Sequence, residues 1–480
     1  MNHRIILPSF RIQFFILLSC FILSRLIAKL SGISFEYAAI FDYWQYLNVK
    51  SLRENLLLSL WYQHSQPPVF NFLLGVVLKC SGSYAPLAFE ILFLLITFSN
   101  GYLLFHLLRK TTAHKYLPLI ASCLYLLNPA TILFENELFY TSFTSLLLLI
   151  SSSFLLNFVK TPTSGRAFAL FATLTLLCLT RSNYHLFLLM VICGILIFQY
   201  YNKKGVRLIF IGSLLAVSLV SGWYFKNYFI FKSFSPSSWL GINFARIVFH
   251  NENVSDSTTI SAIHPFYPIS YYKKYIKDDY KATFAGLNDP ILLSETKNDS
   301  FINMNHAGYL QVSQQYMEAG RQYVAKHPAS YLQHTLFSFI IFFSPASSYY
   351  KLKPNNDKLS YYDLVCSFNL SHLYSEEKKR RIALAVSAIP LFCIYFMVIF
   401  ITIRDAIRSR FISTLHAVIM TIIFFILAIS TVFEYGENMR FRYELHPLFM
   451  VLAADVVVKW LRKNNRVANK TAFNGKSLSP

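Results

Sequence analysis

Charged side chains are scarce in this chain. They make up 14% of its 480 residues, where a soluble domain carries about a quarter. Hydrophobic residues reach 55% and the mean hydropathy is +0.43, so a soluble enzyme is excluded. Acid is the scarcer sign, with 23 Asp plus Glu against 44 Lys plus Arg and a net charge of +21. A basic excess can serve nucleic acid, but no basic helix or RNA-binding signature accompanies it, and no nucleic-acid partner is expected. Basic residues at cytoplasmic helix ends and against anionic head groups account for the balance. Cysteine is sparse too: Cys20, Cys80, Cys123, Cys178, Cys193, Cys366 and Cys393 form no CxxC pair and no metal-ligand spacing. That leaves neither a disulfide framework nor a zinc site, and most of the seven read as small residues inside apolar runs. There is no internal repeat, and no low-complexity tract apart from a polar tail. The first apolar run, "IQFFILLSCFILSRLIAKL", is too long for a signal h-region and has no small-residue cleavage site behind it. It reads as a retained span.

What is abundant is apolar sequence in runs of about 20 residues, the length that crosses a bilayer. Spans are expected near 12–30, 85–107, 117–134, 138–159, 166–180, 185–201, 207–230, 382–403, 411–433 and 445–461. Two shorter runs, 67–79 and 332–345, suit interfacial or re-entrant pieces. With these left out and the N-terminus inside, the cytoplasmic connections hold Arg109, Lys110, Lys115, Lys160, Arg166, Lys203, Lys204, Arg207, Arg404, Arg408 and Arg410, and the tail from Lys459 to Lys476. The short outer connections hold only Arg181, Arg440 and Arg442. That is the positive-inside asymmetry, and it favours about ten spans (ten to twelve at the limits) with both termini in the cytoplasm. The fold class is therefore an all-α polytopic membrane bundle with two large outer loops, roughly 32–84 and 231–381. The stretches "KDDY" and "ETKNDS" mark the acidic, amide-rich middle of the second loop. A transmembrane module over 1–230, the loop 231–381 with an interfacial helix near 332–345, the helices of 382–461 and a disordered tail at 462–480 complete the division.

Polar residues at the outer ends of these spans fall on one side: Asp42, the His64–Gln66–Pro67–Pro68 corner, Asn128, Glu135, Glu137, Arg181, Asn183, Trp223, Lys226, Asn227 and the run "EYGENMRFRYELHP". Ionisable groups near membrane depth are costly and mark function by default; one alone is more simply a charge snorkelling to the interface, as Arg25 is expected to do. Cations that bind an anionic head group, beside a carboxylate that receives a hydroxyl's proton, would suit group transfer onto an acceptor. A lone Asp is more commonly a helix cap, here for a helix starting near Tyr43. Glu137 suits an acceptor contact or a cap of the next span equally, and Glu437 suits a site residue or a partner for Arg440.

The order of motifs resembles the GT-C superfamily of membrane glycosyltransferases, and within it the bacterial branch related to protein O-mannosyltransferases and aminoarabinose transferases. The carriers are "FDYWQYL…HSQPPVFNFLLG" after the first span, "LYLLNPATILFENELFYTSF", "GWYFKNYFIFKSFSPSSWLGINFARI", "YVAKHPASYLQH" and "ENMRFRYELHPLFMVLAA", in the family's order over most of residues 10–461. The resemblance implies a polyprenyl-phosphate-linked sugar as donor, inversion at the anomeric carbon, and no metal or other cofactor. It places the catalytic acid at Asp42 and the carrier phosphate near Gln66, where relatives often carry His or Lys, so that His64 is a substitute donor, with a packed interfacial histidine an equal reading. Arg440, Arg442 and Arg181 would meet the phosphate, with anchoring to lipid head groups the plainer role for Arg440 and Arg442. Many relatives follow the Asp with a second acid; Tyr43 stands there, and Glu36, Glu135 or Glu137 would replace it. Glu135, Glu137, Asn243 and Glu437 complete the expected substrate contacts. The implied acceptor is an envelope glycolipid, polysaccharide or protein on the outer face of a bacterial inner membrane. A lipid-linked glycan polymerase or ligase, and a lipid or sugar flippase, are the alternatives. Flippases usually show repeated halves, and polymerases more often lack an acid just past the first span.

Overall fold

The computed structural model describes residues 10–112, 114–249, 273, 289–298 and 300–474. "KDDY" lies outside the described residues. The protein is all-α and polytopic, and each apolar run becomes a helix because a backbone in hydrocarbon must satisfy its own hydrogen bonds. The bundle comprises α1 (Phe10–Leu30), α6 (Ala85–Thr111), α7 (Leu117–Leu127) with α8 (Pro129–Glu135), α9 (Thr141–Lys160), α10 (Ser164–Thr180), α11 (Leu186–Tyr200), α12 (Val206–Phe231), α17 (Glu377–Ser409), α18 (Thr414–Phe433) and α19 (Asn438–Asn474). Among the described residues, six helices are long and apolar enough to cross a bilayer, and seven if the α7–α8 pair counts as one. All ten expected spans thus fall on helices. However, α10 and α11 are short, at 17 and 15 residues, and α19 opens on a charged turn.

The first loop folds as α2 (Ala39–Asp42), α3 (Val49–Glu54), α4 (Leu56–Trp61) and α5 (Val69–Ser81). The short run at 67–79 becomes α5, which leads through a 3-10 turn at Gly82–Tyr84 into α6. Together they make a 43-residue apolar stretch, about twice what a bilayer needs. The second loop contributes α13 (Leu240–Val248), a hairpin of β1 (Thr296–Lys297) and β2 (Phe301–Ile302), α14 (Gly308–Lys326), α15 (Pro328–Phe343) and α16 (Ser360–Cys366). A Cβ at Gly241 would lie 1.7 Å from the Ser313 carbonyl oxygen. Only glycine lets α13 cross α14 this closely, and that crossing carries the α13 side chains to the mouth of the bundle.

The main core joins α6, α7, α9 to α12, α18 and α19 through residues such as Leu104, Leu148, Leu196, Ile419 and Leu448. By contrast, α1 buries only a stripe of Gln13, Leu17, Ser24 and Ala28, spaced to keep one helix face inward. Arg25 does not snorkel: its Nε and Nη2 donate to the Glu135 carboxylate at 2.9–3.1 Å, and its Nη1 to Leu126 O at 2.6 Å. This tie secures the 58° bend between α7 and α8, where Asn128 caps α8 through Ala130 N and Pro129 opens it. The described residues of both large loops sit at one end of the bundle. Basic side chains gather at the other, where Lys110 reaches Asn157 Oδ1, Arg166 reaches Asn157 O and Lys459 pairs with Asp405. The tail is not unstructured throughout: α19 continues to Asn474, and 475–480 lie outside the described residues.

Candidate active site

At the loop end, a cleft of about 360 Å³ opens between the first loop, the second loop and the ends of α9, α10, α18 and α19, within the range of small-molecule sites. Six of the expected residues line it: Asp42, Gln66, Arg181, Asn243, Glu437 and Arg440. Four do not: His64, Glu135, Glu137 and Arg442.

Asp42 is the last residue of α2, and α3 starts at Val49 with Asn48 as its cap. The cap role for Asp42 is therefore overturned. The hairpin of the second loop holds the backbone on both sides of it. Asn298 Nδ2 donates to Phe41 O at 3.0 Å, and Lys297 Nζ donates to Tyr43 O and, at 2.6 Å, to Tyr46 O. Asn298 Oδ1 also accepts from Val49 N at 3.0 Å. Burial lowers the Lys297 ammonium to about 7, against a smaller pull upward from Asp42. The Asp42 carboxylate faces the cleft. Its Oδ2 lies 3.4 Å from Lys351 Nζ, while its Oδ1 has no hydrogen-bond partner among the described residues. Lys351 also sits over the Tyr43 ring at 4.5 Å.

The Pro-Pro corner is held from several sides. Lys226 donates to Gln63 O at 2.6 Å, Ser237 Oγ to Ser65 O at 2.5 Å, and Asn305 Oδ1 accepts from His64 N and Ser65 N. His64 is spent on this brace. Its ring nitrogens meet Ser238 Oγ at 2.8 Å and Asn305 O at 2.9 Å, and burial with the nearby Lys226 charge lowers it to about 3. A neutral, enclosed imidazole is not placed to donate to a phosphate in the cleft. Gln66, two residues on, does reach the cleft wall.

The opposite wall comes from the start of α19. Gly436, at φ +78°, turns the chain after α18 where a side chain would be strained, and Asn438 Nδ2 ties that turn to Ser430 O at 2.7 Å. Arg440 then projects inward among Phe139, Tyr140, Tyr349 and Phe441, with its guanidinium carbon 4.5–5.7 Å from their ring centres. Its Nη2 donates to Glu437 Oε2 at 2.6 Å, whereas Nε and Nη1 are buried without hydrogen-bond partners among the described residues. Arg181, at the end of α10, pairs with Glu444 and lies 4.0 Å from the Phe441 ring centre. Asn243 donates to Glu434 at 2.9 Å. Burial, reinforced by Glu437, raises Glu434 to about 7, although Arg246, Arg440 and Arg181 oppose the shift.

Glu135 is committed to Arg25. Glu137 lies behind the wall, where it accepts the Tyr43 hydroxyl and its strand-like pairing with Glu36 joins the two turns. Burial raises it to about 8, with Lys351 pulling down and Glu36 and Asp42 pushing up. It caps no helix. Arg442 points the other way, with Nε on Phe342 O at 2.9 Å and Nη2 on Ser344 O at 3.0 Å. Side chains two apart on a helix face roughly opposite sides, so Arg440 and Arg442 cannot share one cavity. The cleft also contains residues that sequence reasoning missed: Arg246, Lys351, Tyr349 and Tyr350. Arg246 lies one turn after Asn243 on α13, a spacing that was available as a signal. Lys351 has none.

No protein-family model matches the chain, and no curated protein matches it by sequence. Two solved structures overlap it. The oligosaccharyltransferase of Archaeoglobus fulgidus, tethered to an acceptor peptide containing the NVT sequon, does so with a TM-score of 0.46 and 9% identity, covering 94% of this chain and 50% of that one. The archaeal oligosaccharyltransferase AglB from Archaeoglobus fulgidus, in complex with an inhibitory peptide and a dolichol-phosphate, gives 0.42 and 12%, covering 96% and 52%. The chain spans about half the length of these archaeal chains. The functional reading rests on the cleft itself.

Proposed function

We propose that the protein is a membrane glycosyltransferase of GT-C type. It moves a sugar from a polyprenyl-phosphate carrier to an envelope acceptor (glycolipid, polysaccharide or protein) on the outer side of the membrane. One observation carries this reading. Asp42 Oδ1, a carboxylate oxygen with no hydrogen-bond partner among the described residues, lines the same cleft as a buried guanidinium whose Nε and Nη1, on Arg440, have none among them either. The two residues are remote in sequence, yet they meet where the bundle ends and the loops begin.

In this reaction the acceptor oxygen attacks the anomeric carbon while Asp42 takes its proton. The bond from that carbon to the phosphate oxygen breaks, and the polyprenyl phosphate leaves with the electron pair. A single displacement inverts the anomeric centre. Arg440, fixed by Glu437 and enclosed by aromatic rings, is preorganised for the charge that develops on the leaving phosphate, which needs no reorganisation at the moment of reaction. Arg181 stands on the same side, already balanced by Glu444. Gln66 and Asn243 offer neutral hydrogen bonds to the sugar hydroxyls, and Tyr349, Tyr350 and Trp239 offer faces for its ring. Holding two substrates in line is a large part of such catalysis. The charge bias of the opposite end supports a cytoplasmic location there and an outer location for the cleft.

The test uses purified protein and a labelled polyprenyl-phosphate sugar. Transfer should fall about 10²–10⁴-fold in a folded Asp42→Asn variant, the range for loss of a general base; undiminished transfer would remove Asp42 from the mechanism. Mass spectrometry of envelope glycans with and without the protein identifies the sugar and the acceptor.

A further inference from the structure

Arg442 was expected at the donor phosphate, and the structure puts it in a different place. It lines a second cavity of about 220 Å³, bounded by α17, the turn after α16, the end of α15 and the α7–α8 bend. Arg442 is 4% exposed. The other buried arginines among the described residues each face a carboxylate, Arg181 on Glu444 and Arg440 on Glu437, and the half-buried Arg25 has Glu135. Arg442 meets the carbonyls that end α15 and lies beside the Tyr395 hydroxyl, and no acid is among the described residues that line its cavity. A buried cation without a counter-charge is costly. Beside it, His446 lines the same cavity and its Nδ1 is buried without a hydrogen-bond partner among the described residues. Both groups can donate to an anion, and Ser367 and Ser387 stand on the walls.

The mouth of this cavity is apolar. Phe368 and Ile394, each 46% exposed, flank it together with the exposed Cys366. From there the outward face of α17 continues through the exposed Ile389, Phe392 and Phe396, a surface suited to acyl or prenyl chains. A cationic floor with a greasy doorway at the loop end of the bundle matches one kind of ligand, a phosphate carried on a lipid. The bidentate fork of arginine suits it.

We infer that the cavity around Arg442 and His446 is a second anion site, separate from the cleft, that holds the phosphate of a membrane lipid with its chain along α17. The site stands whether or not the cleft transfers sugar. Two sources share this chemistry, a phospholipid head group and a polyprenyl phosphate, and the experiment separates them.

Cys366 reports on the doorway directly. Delipidated full-length protein in detergent is treated with a maleimide, alone or with short-chain phosphatidylglycerol, polyprenyl monophosphate or phosphate-free diacylglycerol, and the modified peptides are quantified. Either phosphate lipid should slow labelling of Cys366 and leave the exposed Cys80 unaffected; the lipid that protects at lower concentration is the resident. Arg442→Gln should weaken that protection about tenfold or more, as loss of a buried charged contact does. Arg440→Gln, which alters only the cleft, should leave it unchanged. Because Arg442→Gln also removes the two carbonyl contacts that hold the end of α15, Leu391→Trp supplies a second variant that fills the cavity from another wall. Retained phosphate lipid, counted by native mass spectrometry, should fall in that variant. Equal protection by diacylglycerol, or equal lipid retention in wild type and Leu391→Trp, would overturn the site.

Discussion

Arg440 and Arg442 stand two residues apart at the start of one helix, and they belong to different parts of the molecule. Arg440 enters a polar cleft with three carboxylates on its walls, is paired through one nitrogen and keeps two others without a partner among the described residues. Arg442 enters a smaller cavity with no acid among its described lining residues and grips the carbonyls that finish α15. The same residue type thus serves as a charge presented to a substrate on one helix face and as a fastener on the other. A motif read as a string cannot tell these apart, because the helix turns by about 100° per residue.

Substitution should sharpen the contrast. Asp42→Asn, across the cleft from Arg440, should have the largest effect, lowering transfer about 10²–10⁴-fold, the range for loss of a general base; labelled-sugar transfer measures it. Arg440→Gln should cost about 10²–10³ in kcat, as loss of a preorganised donor does. Arg442→Gln should instead show as instability of about 1.5–3 kcal/mol from lost charged hydrogen bonds, read by thermal unfolding in detergent. If Arg442→Gln matched Arg440→Gln in kcat without destabilising the chain, the division between the two faces would fail.

The hairpin that brackets Asp42 offers a finer test. Lys297→Met or Asn298→Ala should lower kcat about tenfold through misplacement of the carboxylate, with KM for the donor unchanged. Lys297→Met should add little in an Asp42→Asn background, since residues that act as a unit are not additive.

The smallest effect concerns pH. Glu137 is raised from its ordinary 4.5 to about 8, so between these values the folded state binds more protons than the unfolded one. Its contribution to stability is full below about 4.5 and is lost as pH rises through about 8. Glu137→Gln should remove that decline from the pH dependence of unfolding. His64, lowered to about 3, has the opposite sign: its contribution is present above its ordinary 6.5 and is lost as pH falls towards 3.

Much of the bundle was legible. Run length and the absence of charge located ten helices, because hydrocarbon admits little besides a helix. The charge asymmetry put 32–84 and 231–381 at one end, and the described residues of both segments lie there. The motif order brought forward Asp42, Gln66, Arg181, Asn243, Glu437 and Arg440, and these six share the cleft. Other residues followed different rules. Arg25 was read as a snorkelling charge because its partner, Glu135, lies 110 residues away. For His64 a phosphate donor and a packed interfacial histidine stood level, because a sequence does not reveal that both ring nitrogens are occupied. Lys351 was not foreseen at all: it reaches Asp42 from a turn 309 residues later.

The sequence by itself determined that this chain lives in a membrane, where its helices lie, and which end carries the acids and aromatic rings. Those properties depend on the local match between side chains and solvent. Tertiary structure alone decided which charges pair, which stay open to a ligand and which of two neighbouring arginines faces the cleft. Those depend on helix rotation and on loop contacts between residues hundreds of positions apart, and no local pattern encodes either.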